Sequence, residues 1–184
     1  MNRRAIILLV ITLGYSYHSS YAQLYFTKNG RISFFSKTSL ENISADNNQV
    51  ISVLNAESGS VQFSLLNNAF YFPKAKMQED FNENYMESEK YPKSTFKGTI
   101  TDTGTVNFFV DGNYKMQVKG ELTIHGVTKT IATPGTLIIK NGNISATASF
   151  KVLLTDYKIK VPTIVTDKIA KEIEISVSCN YEKK

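Results

Sequence analysis

A single cysteine in 184 residues leaves no internal disulfide to staple this chain. Cys179 falls in phase with Ile173, Ile175 and Val177, so it reads as a small buried hydrophobe. Histidine is almost as scarce, with only His18 and His125. A zinc site wants three or four ligands at close spacing, and a lone histidine with one distant cysteine does not provide them. No serine sits in a Gly-x-Ser-x-Gly elbow, and no glycine-rich loop is placed to cradle a phosphate. The sequence therefore points to no catalytic residue, no metal and no cofactor. The role expected of His125 is structural: beside Gly126 at a strand corner, a ring nitrogen can hold a turn through a backbone hydrogen bond.

Long apolar runs are missing too. The one candidate, residues 5–13, is far short of the roughly 20 residues that cross a bilayer as a helix. It follows Asn2-Arg3-Arg4 and precedes Ser20-Tyr21-Ala22, which is the layout of a secretory signal peptide. Residues 1–22 are expected to be that peptide, with cleavage after Ala22, and residues 23–184 the mature domain. No cysteine near the cleavage point offers a lipid anchor, so the mature chain is expected as a soluble periplasmic or secreted protein. Loss of Arg3 and Arg4 lowers the formal charge of +5 by two, and the lysines that carry the remainder are scattered. Such a surface does not track phosphates, which excludes nucleic acid as a partner. Repeats, low-complexity tracts and linkers rich in proline, glycine or serine are all lacking, and the length fits one domain.

What the chain does have is alternation. Ile32 and Phe34, Ile51 and Val53, Val61, Phe63 and Leu65, and Phe70 and Phe72 each occupy every second position. So do Phe96 to Ile100, Val106, Phe108 and Val110, then Met116, Val118, Leu122 and Ile124. Leu137 and Ile139, the set Ala146, Ala148, Phe150 and Val152, and finally Ile173, Ile175 and Val177 complete the series. Each is a strand with one buried face. Ser58-Gly59, Thr103-Gly104, Asp111-Gly112-Asn113 and Asn141-Gly142-Asn143 are hairpin signals between them. Consecutive antiparallel strands of this kind avoid open edges by closing, so the expected class is all-β: a single antiparallel up-and-down β-barrel of about eight strands. Two stretches depart from the pattern. Met77, Phe81 and Tyr85 recur every fourth position, which predicts a short helix over 77–89 ended by Pro92, with Glu79, Glu83 and Glu87 outward on a solvated face. A second helical turn is expected over 165–171.

Around Gly120-Glu121-Leu122-Thr123-Ile124-His125-Gly126-Val127-Thr128-Lys129-Thr130-Ile131 the alternation breaks at Gly126 and resumes at Val127, as at a tight corner or bulge. The run from Leu122 to Lys129 resembles the signature of the YceI-like family. Residues 77–96 agree, with Phe81, Tyr85-Met86, Lys90-Tyr91-Pro92 and Thr95-Phe96. So do residues 150–162, with Asp156-Tyr157-Lys158-Ile159, and the strand at 173–177. The resemblance spans 30–181. It implies a lipocalin-like barrel that binds a polyisoprenoid lipid. The stretch Arg31-Ile32-Ser33-Phe34-Phe35-Ser36 has no histidine, unlike members associated with quinone-type ligands, so the resemblance does not fix the ligand.

Strand phase and the helix together nominate a cavity lining of Phe34, Phe63, Phe72, Phe81, Tyr85, Phe96, Phe108, Met116, Phe150 and Ile175. Composition alone leaves open whether these side chains fill a solid core or surround a ligand, and a slip of one residue in phase would turn any of them outward. Lys74, Lys76, Lys93 and Lys97 are the candidates to meet a charged head group near the open end. Three readings follow. In the first, an exported carrier sequesters an isoprenoid-type chain, a quinone or polyprenyl lipid, without catalysis, with transient membrane contact or a homodimer compatible with it. In the second, a packed barrel serves as an envelope-stress or interaction module. The third is an enzyme centred on His125.

Overall fold

The computed structural model describes residues 23–183 apart from 102, 103 and 105. The expected signal peptide and Thr103 of one expected turn lie outside the described residues. Eight strands follow one another: β1 (Leu24–Lys37), β2 (Asn42–Asn55), β3 (Ser60–Leu66), β4 (Lys93–Ile100), β5 (Gly112–Ile124), β6 (Val127–Lys140), β7 (Asn143–Leu153) and β8 (Glu172–Lys183). Each pairs antiparallel with the next, and β8 returns to β1 to close the barrel. The closing register sets Ile32 opposite Val177 and Phe34 opposite Ile175. Two inward apolar pairs therefore seal the seam.

One end of the barrel carries the turn at 38–41, the insertion at 67–92, the β5–β6 turn and the segment at 154–171. The other carries 56–59, 101–111, 141–142 and the strand termini. Their difference arises in β2. Only its residues Ile51 to Leu54 pair with β3, so its first half has β1 as a neighbour on one side and no strand on the other. The insertion covers that unpaired half. Tyr71 and Asp46 exchange backbone hydrogen bonds of 2.8 and 3.1 Å, and the Asn47 amide donates to the Leu66 carbonyl at 2.9 Å. Phe70 and Phe72, expected as a strand, thus contribute only this one bridge, with both rings turned inward.

The expected helix starts at Ala75, two residues early. It is α-helical as α1 (Ala75–Asp80) and widens into a π-turn over Phe81–Tyr85, closed by the Met86 N–H donating to the Phe81 carbonyl at 2.8 Å. Six residues without a side-chain cap are too few to hold a helix alone, so its packing supplies the stability. Four phenylalanines do this: Phe34 lies 5.4 Å from Phe70, 5.6 Å from Phe72 and 5.5 Å from Phe81, which is itself 5.1 Å from Phe72. The second expected helical turn, over 165–171, is not formed as a helix: a short 3₁₀ turn spans Thr163–Val165 instead, and 166–171 continues as irregular turns.

Two strand readings need correction. Val106 to Val110 is not a strand: the Asn107 side chain accepts the Phe109 N–H at 3.0 Å, a local turn that competes with a ladder. In β2 the inward residues are Val50, Ser52 and Leu54, while Ile51 and Val53 are 52% and 38% exposed. A hydroxyl is tolerated inside because Ser52 donates to the Gln62 carbonyl at 2.9 Å and meets the Tyr181 hydroxyl at 2.7 Å.

The corner at Gly126 is a two-residue hairpin. His125 and Gly126 have φ of 50° and 72°, and Ile124 pairs with Val127 across the turn. Positive φ at both central positions is the type I′ pattern that matches strand twist. The Tyr91 ring packs on the glycine so closely that a Cβ there would sit 2.5 Å from the ring. Gly126→Ala is accordingly expected to lower unfolding stability by about 1–3 kcal/mol. Urea denaturation measures this, and an unchanged midpoint would contradict the account of the corner.

Candidate functional site

The two halves of the barrel interior are packed differently. Towards the termini, Leu54, Ile100, Leu137 and Ile144 are all at or below 2% exposure. Towards the insertion, side chains that point inward remain half-buried: Phe34, Phe63, Phe81, Phe150, Ile175 and Val177. An inward residue in a close-packed core loses its accessible surface to its neighbours. These residues keep theirs because they face a cavity, whose volume is about 410 Å³. That size lies within the ~300–1,000 Å³ of small-molecule sites. β7 makes the room by presenting Ala146 and Ala148 at inward positions. Along β8 the open part is bordered by Ile173, Ile175 and Val177, and the cavity ends on the tightly packed Leu54, Ile100, Leu137 and Tyr181, which form its floor.

The walls are apolar, and their few deep polar groups are already engaged. Ser94 donates to Asn67 at 2.8 Å, and Asn67 in turn donates to the Tyr91 carbonyl at 2.6 Å. The Thr133 hydroxyl donates to backbone carbonyls, and the Ser36 hydroxyl accepts the Ala170 N–H at 2.9 Å. Tyr181 holds Ser52, and burial pushes its phenol up from the ordinary range. Among the described residues that line it, charge enters at the mouth alone, through Glu41, Asp80 and Lys168. Such a chamber favours a hydrocarbon chain and offers no polar group inside to fix a head.

Nine of the ten nominated lining residues border the cavity: Phe34, Phe63, Phe72, Phe81, Tyr85, Phe96, Met116, Phe150 and Ile175. Phe108 does not. It is buried in the 101–111 segment beside Val106 and belongs to the packed end, because the turn at Asn107 removes it from any strand phase. Of the head-group lysines, Lys74 and Lys76 stand at the mouth but are engaged there, Lys74 with Glu41 at 3.2 Å and Lys76 with Glu79 and Asp80 at 3.1 Å; Lys93 is exposed at the same end, opposite Leu66, and Lys97 lies on the outer wall in register with Glu121. Lys168, which sequence reasoning missed, lines the mouth together with Val165 and Ile169. Val165 and Ile169 fall within the turn expected over 165–171, but that expectation assigned them no place at the mouth.

His125 anchors the frame of this mouth. Its Nδ1 lies 3.1 Å from the Tyr157 carbonyl, its Nε2 2.7 Å from the Glu87 carboxylate, and its ring 4.5 Å from that of Tyr91. The bond it makes is thus to the 154–171 segment and the insertion, not to its own turn. A carbonyl only accepts, so Nδ1 carries a hydrogen towards Tyr157, and Nε2 is left to face the Glu87 carboxyl. Glu87, expected on the solvated face, stays partly exposed there while it reaches His125, and the hydrogen bond from His125 holds its carboxyl below the ordinary carboxylate range, with the nearby Lys90 acting in the same direction. Three residues at this junction, Glu87, His125 and Lys158, adopt positive φ without being glycine. The contact holds a strained backbone in place.

Among the described residues no group of three His, Cys, Asp or Glu side chains could hold a metal ion. The free thiol of Cys179 is buried against the wall, and burial pushes it up to about 11.

An eight-stranded antiparallel barrel with an elongated apolar chamber is a lipocalin-like architecture. The chain belongs to the YceI-like domain family, which it matches over residues 18–181. Among solved structures it is similar to a polyisoprenoid binding domain from Saccharophagus degradans implicated in plant cell wall breakdown, at 13% identity and a TM-score of 0.77, covering 89% of this chain and 100% of that one. Burkholderia cenocepacia BcnA superposes at 18% identity and a TM-score of 0.70, over 83% of this chain and 96% of that one. A Campylobacter jejuni YceI protein does so at 17% identity and a TM-score of 0.55, over 99% and 92%. No curated protein matches the sequence.

Because the folded carboxyl of Glu87 is depressed, its contribution to stability is present above the ordinary value of 4.5 and disappears as pH falls through the folded value. Glu87→Gln is therefore expected to melt below the wild type at neutral pH, with the gap closing on acidification. Thermal melts across pH 3–7, a range set by the ordinary carboxylate pKa of roughly 4, test this; a gap that stays constant through acid would refute the pairing.

Proposed function

We propose that this protein is an exported, non-catalytic carrier that sequesters one apolar chain, of isoprenoid type, inside the barrel. The observation that carries the reading is the unfilled interior: inward phenylalanines and isoleucines that keep accessible surface around a 410 Å³ chamber. Family membership and the printed name of the Saccharophagus degradans relative support the isoprenoid class. Export to the periplasm or medium is proposed from residues 1–22, read as a cleaved signal peptide. A solid barrel with a working outer surface accounts poorly for this chamber.

The energetics suffice without charge or chemistry. At ~0.8 kcal/mol per buried methylene, a desolvated five-carbon isoprene unit contributes roughly 3–4 kcal/mol. Three such units contribute about 9–12 kcal/mol, so the ~8 kcal/mol of micromolar binding is reached at the upper end of that range when association costs about 4 kcal/mol. A quinone ring or polyprenyl head would rest at the mouth, the only charged part of the cavity. Exchange with a membrane then needs only a transient encounter.

Ala148→Trp tests this, since it places an indole in the middle of the chamber. The expected result is uptake of a fluorescent fatty probe at least tenfold weaker, with a far-UV spectrum and melting temperature no worse than wild type, because the ring fills space. In a solid core the same change costs about 1–3 kcal/mol by overpacking. Marked destabilisation, or undiminished uptake, would overturn the reading.

A further inference from the structure

The large apolar side chains exposed at the cavity end are placed for a purpose that folding does not explain. Leu40 is 67% exposed on the β1–β2 turn, and Ile164 is 89% exposed at the tip of the 3₁₀ turn over Thr163–Val165. Both flank the mouth: Glu41 and Val165, their chain neighbours, line the cavity. The two loops are joined to the same rim, because the Ala170 N–H donates to Ser36 at 2.9 Å and Glu41 reaches Lys74 at 3.2 Å.

The charge around this end is divided: the insertion carries Glu79, Asp80, Glu83, Glu87 and Glu89 against Lys74, Lys76 and Lys90, whereas the side that bears Ile164 is basic. Residues 154–171 carry Lys158, Lys160, Lys168 and Lys171 against Asp156 and Asp167. Lys37 ends β1 at the same rim. Lys37, Lys160, Lys168 and Lys171 are exposed and have no ion-pair partner among the described residues. The rim acids Glu41 and Asp80 are taken up by Lys74 and Lys76. Unengaged positive charge beside protruding aliphatic tips is the composition that binds an anionic membrane interface, where the tips enter the acyl boundary and the ammonium groups meet phosphates. At the opposite end Phe109 and Val110 are also exposed, at 82% and 52%, but the charged side chain next to them is that of Asp111.

We propose that the mouth rim, with Leu40 and Ile164 as insertion points and Lys37, Lys160, Lys168 and Lys171 as phosphate contacts, docks the barrel mouth-down on an anionic lipid bilayer. This rests on the carrier reading and adds the route: docked in this way, the chamber opens directly onto the acyl layer, so a chain passes between bilayer and barrel without crossing water.

Co-sedimentation with vesicles of phosphatidylcholine, alone or mixed with phosphatidylglycerol, tests the surface. The wild type is expected to bind the mixed vesicles at least tenfold more tightly than the neutral ones and to release them at high salt. Leu40→Ser with Ile164→Glu is expected to abolish binding. Lys160→Glu with Lys171→Glu is expected to weaken it by about fivefold per position or more. Phe109→Ser at the far end should bind as the wild type. Uptake of a fluorescent fatty probe in vesicle-free solution is measured for every protein and should not change. Wild-type indifference to both vesicle types, retained binding in the rim variants, loss in Phe109→Ser alone, or a concentration-dependent dimer dissolved by the rim variants with no vesicle binding would each overturn the docking surface. Loss of probe uptake with vesicle binding intact would instead count against the carrier reading.

Discussion

A closed ring of eight strands has a nearly fixed bore, wide enough either to be filled by side chains or to leave a slot for one chain. Which outcome results depends on residue size at the inward positions, and here size changes along the barrel axis. Leucine, isoleucine and tyrosine meet at the packed end. Halfway up, β7 offers Ala146 and Ala148, and Gly135 of β6 sits opposite Ala148. Phe34, Phe63 and Phe150 reach inward beside these small residues and remain half-buried. The chamber is the space those small residues leave.

A hollow half-barrel forfeits the packing that holds the rest of a domain together, and the insertion compensates. It covers the half of β2 that β3 does not reach, and its phenylalanines stack on Phe34 at the seam between β1 and β8. Asn67 and His125 fasten its two ends. Asn67 is fully buried, bonded to Ser94 and to the Tyr91 carbonyl. His125 draws Glu87 and the Tyr157 carbonyl to the tip of the β5–β6 hairpin. The rim is thus framed by polar contacts outside the chamber, which leaves the walls free of polar atoms in need of partners.

Period-two alternation with glycine-bearing breaks was sufficient to read the barrel, because inward and outward positions differ so sharply in a single-walled sheet. It failed where local polar chemistry intervened. Asn107 bends its own backbone and takes Phe108 out of the ladder, and the Ser52–Tyr181 contact lets β2 run with a hydroxyl inside and Ile51 outside. Nine of ten nominated residues reach the chamber since they sit on long strands or on the helix face, where phase is well determined. A turn was expected within residues 154–171, but not that Val165, Lys168 and Ile169 would border the mouth, because no periodicity encodes how an irregular segment folds back on a rim. Nor could spacing reveal that His125, alone on its hairpin, would meet a glutamate 38 residues earlier in the chain.

The carrier function proposed for this barrel requires a lipid chain in the chamber of the working protein. Organic-solvent extraction of the purified protein, followed by mass spectrometry, measures this directly. The expected result is a long-chain isoprenoid lipid near one equivalent per barrel, reduced to trace in protein carrying an indole at the chamber's midpoint. An extract with no lipid, from a protein that also fails to take one up when it is offered, would contradict it.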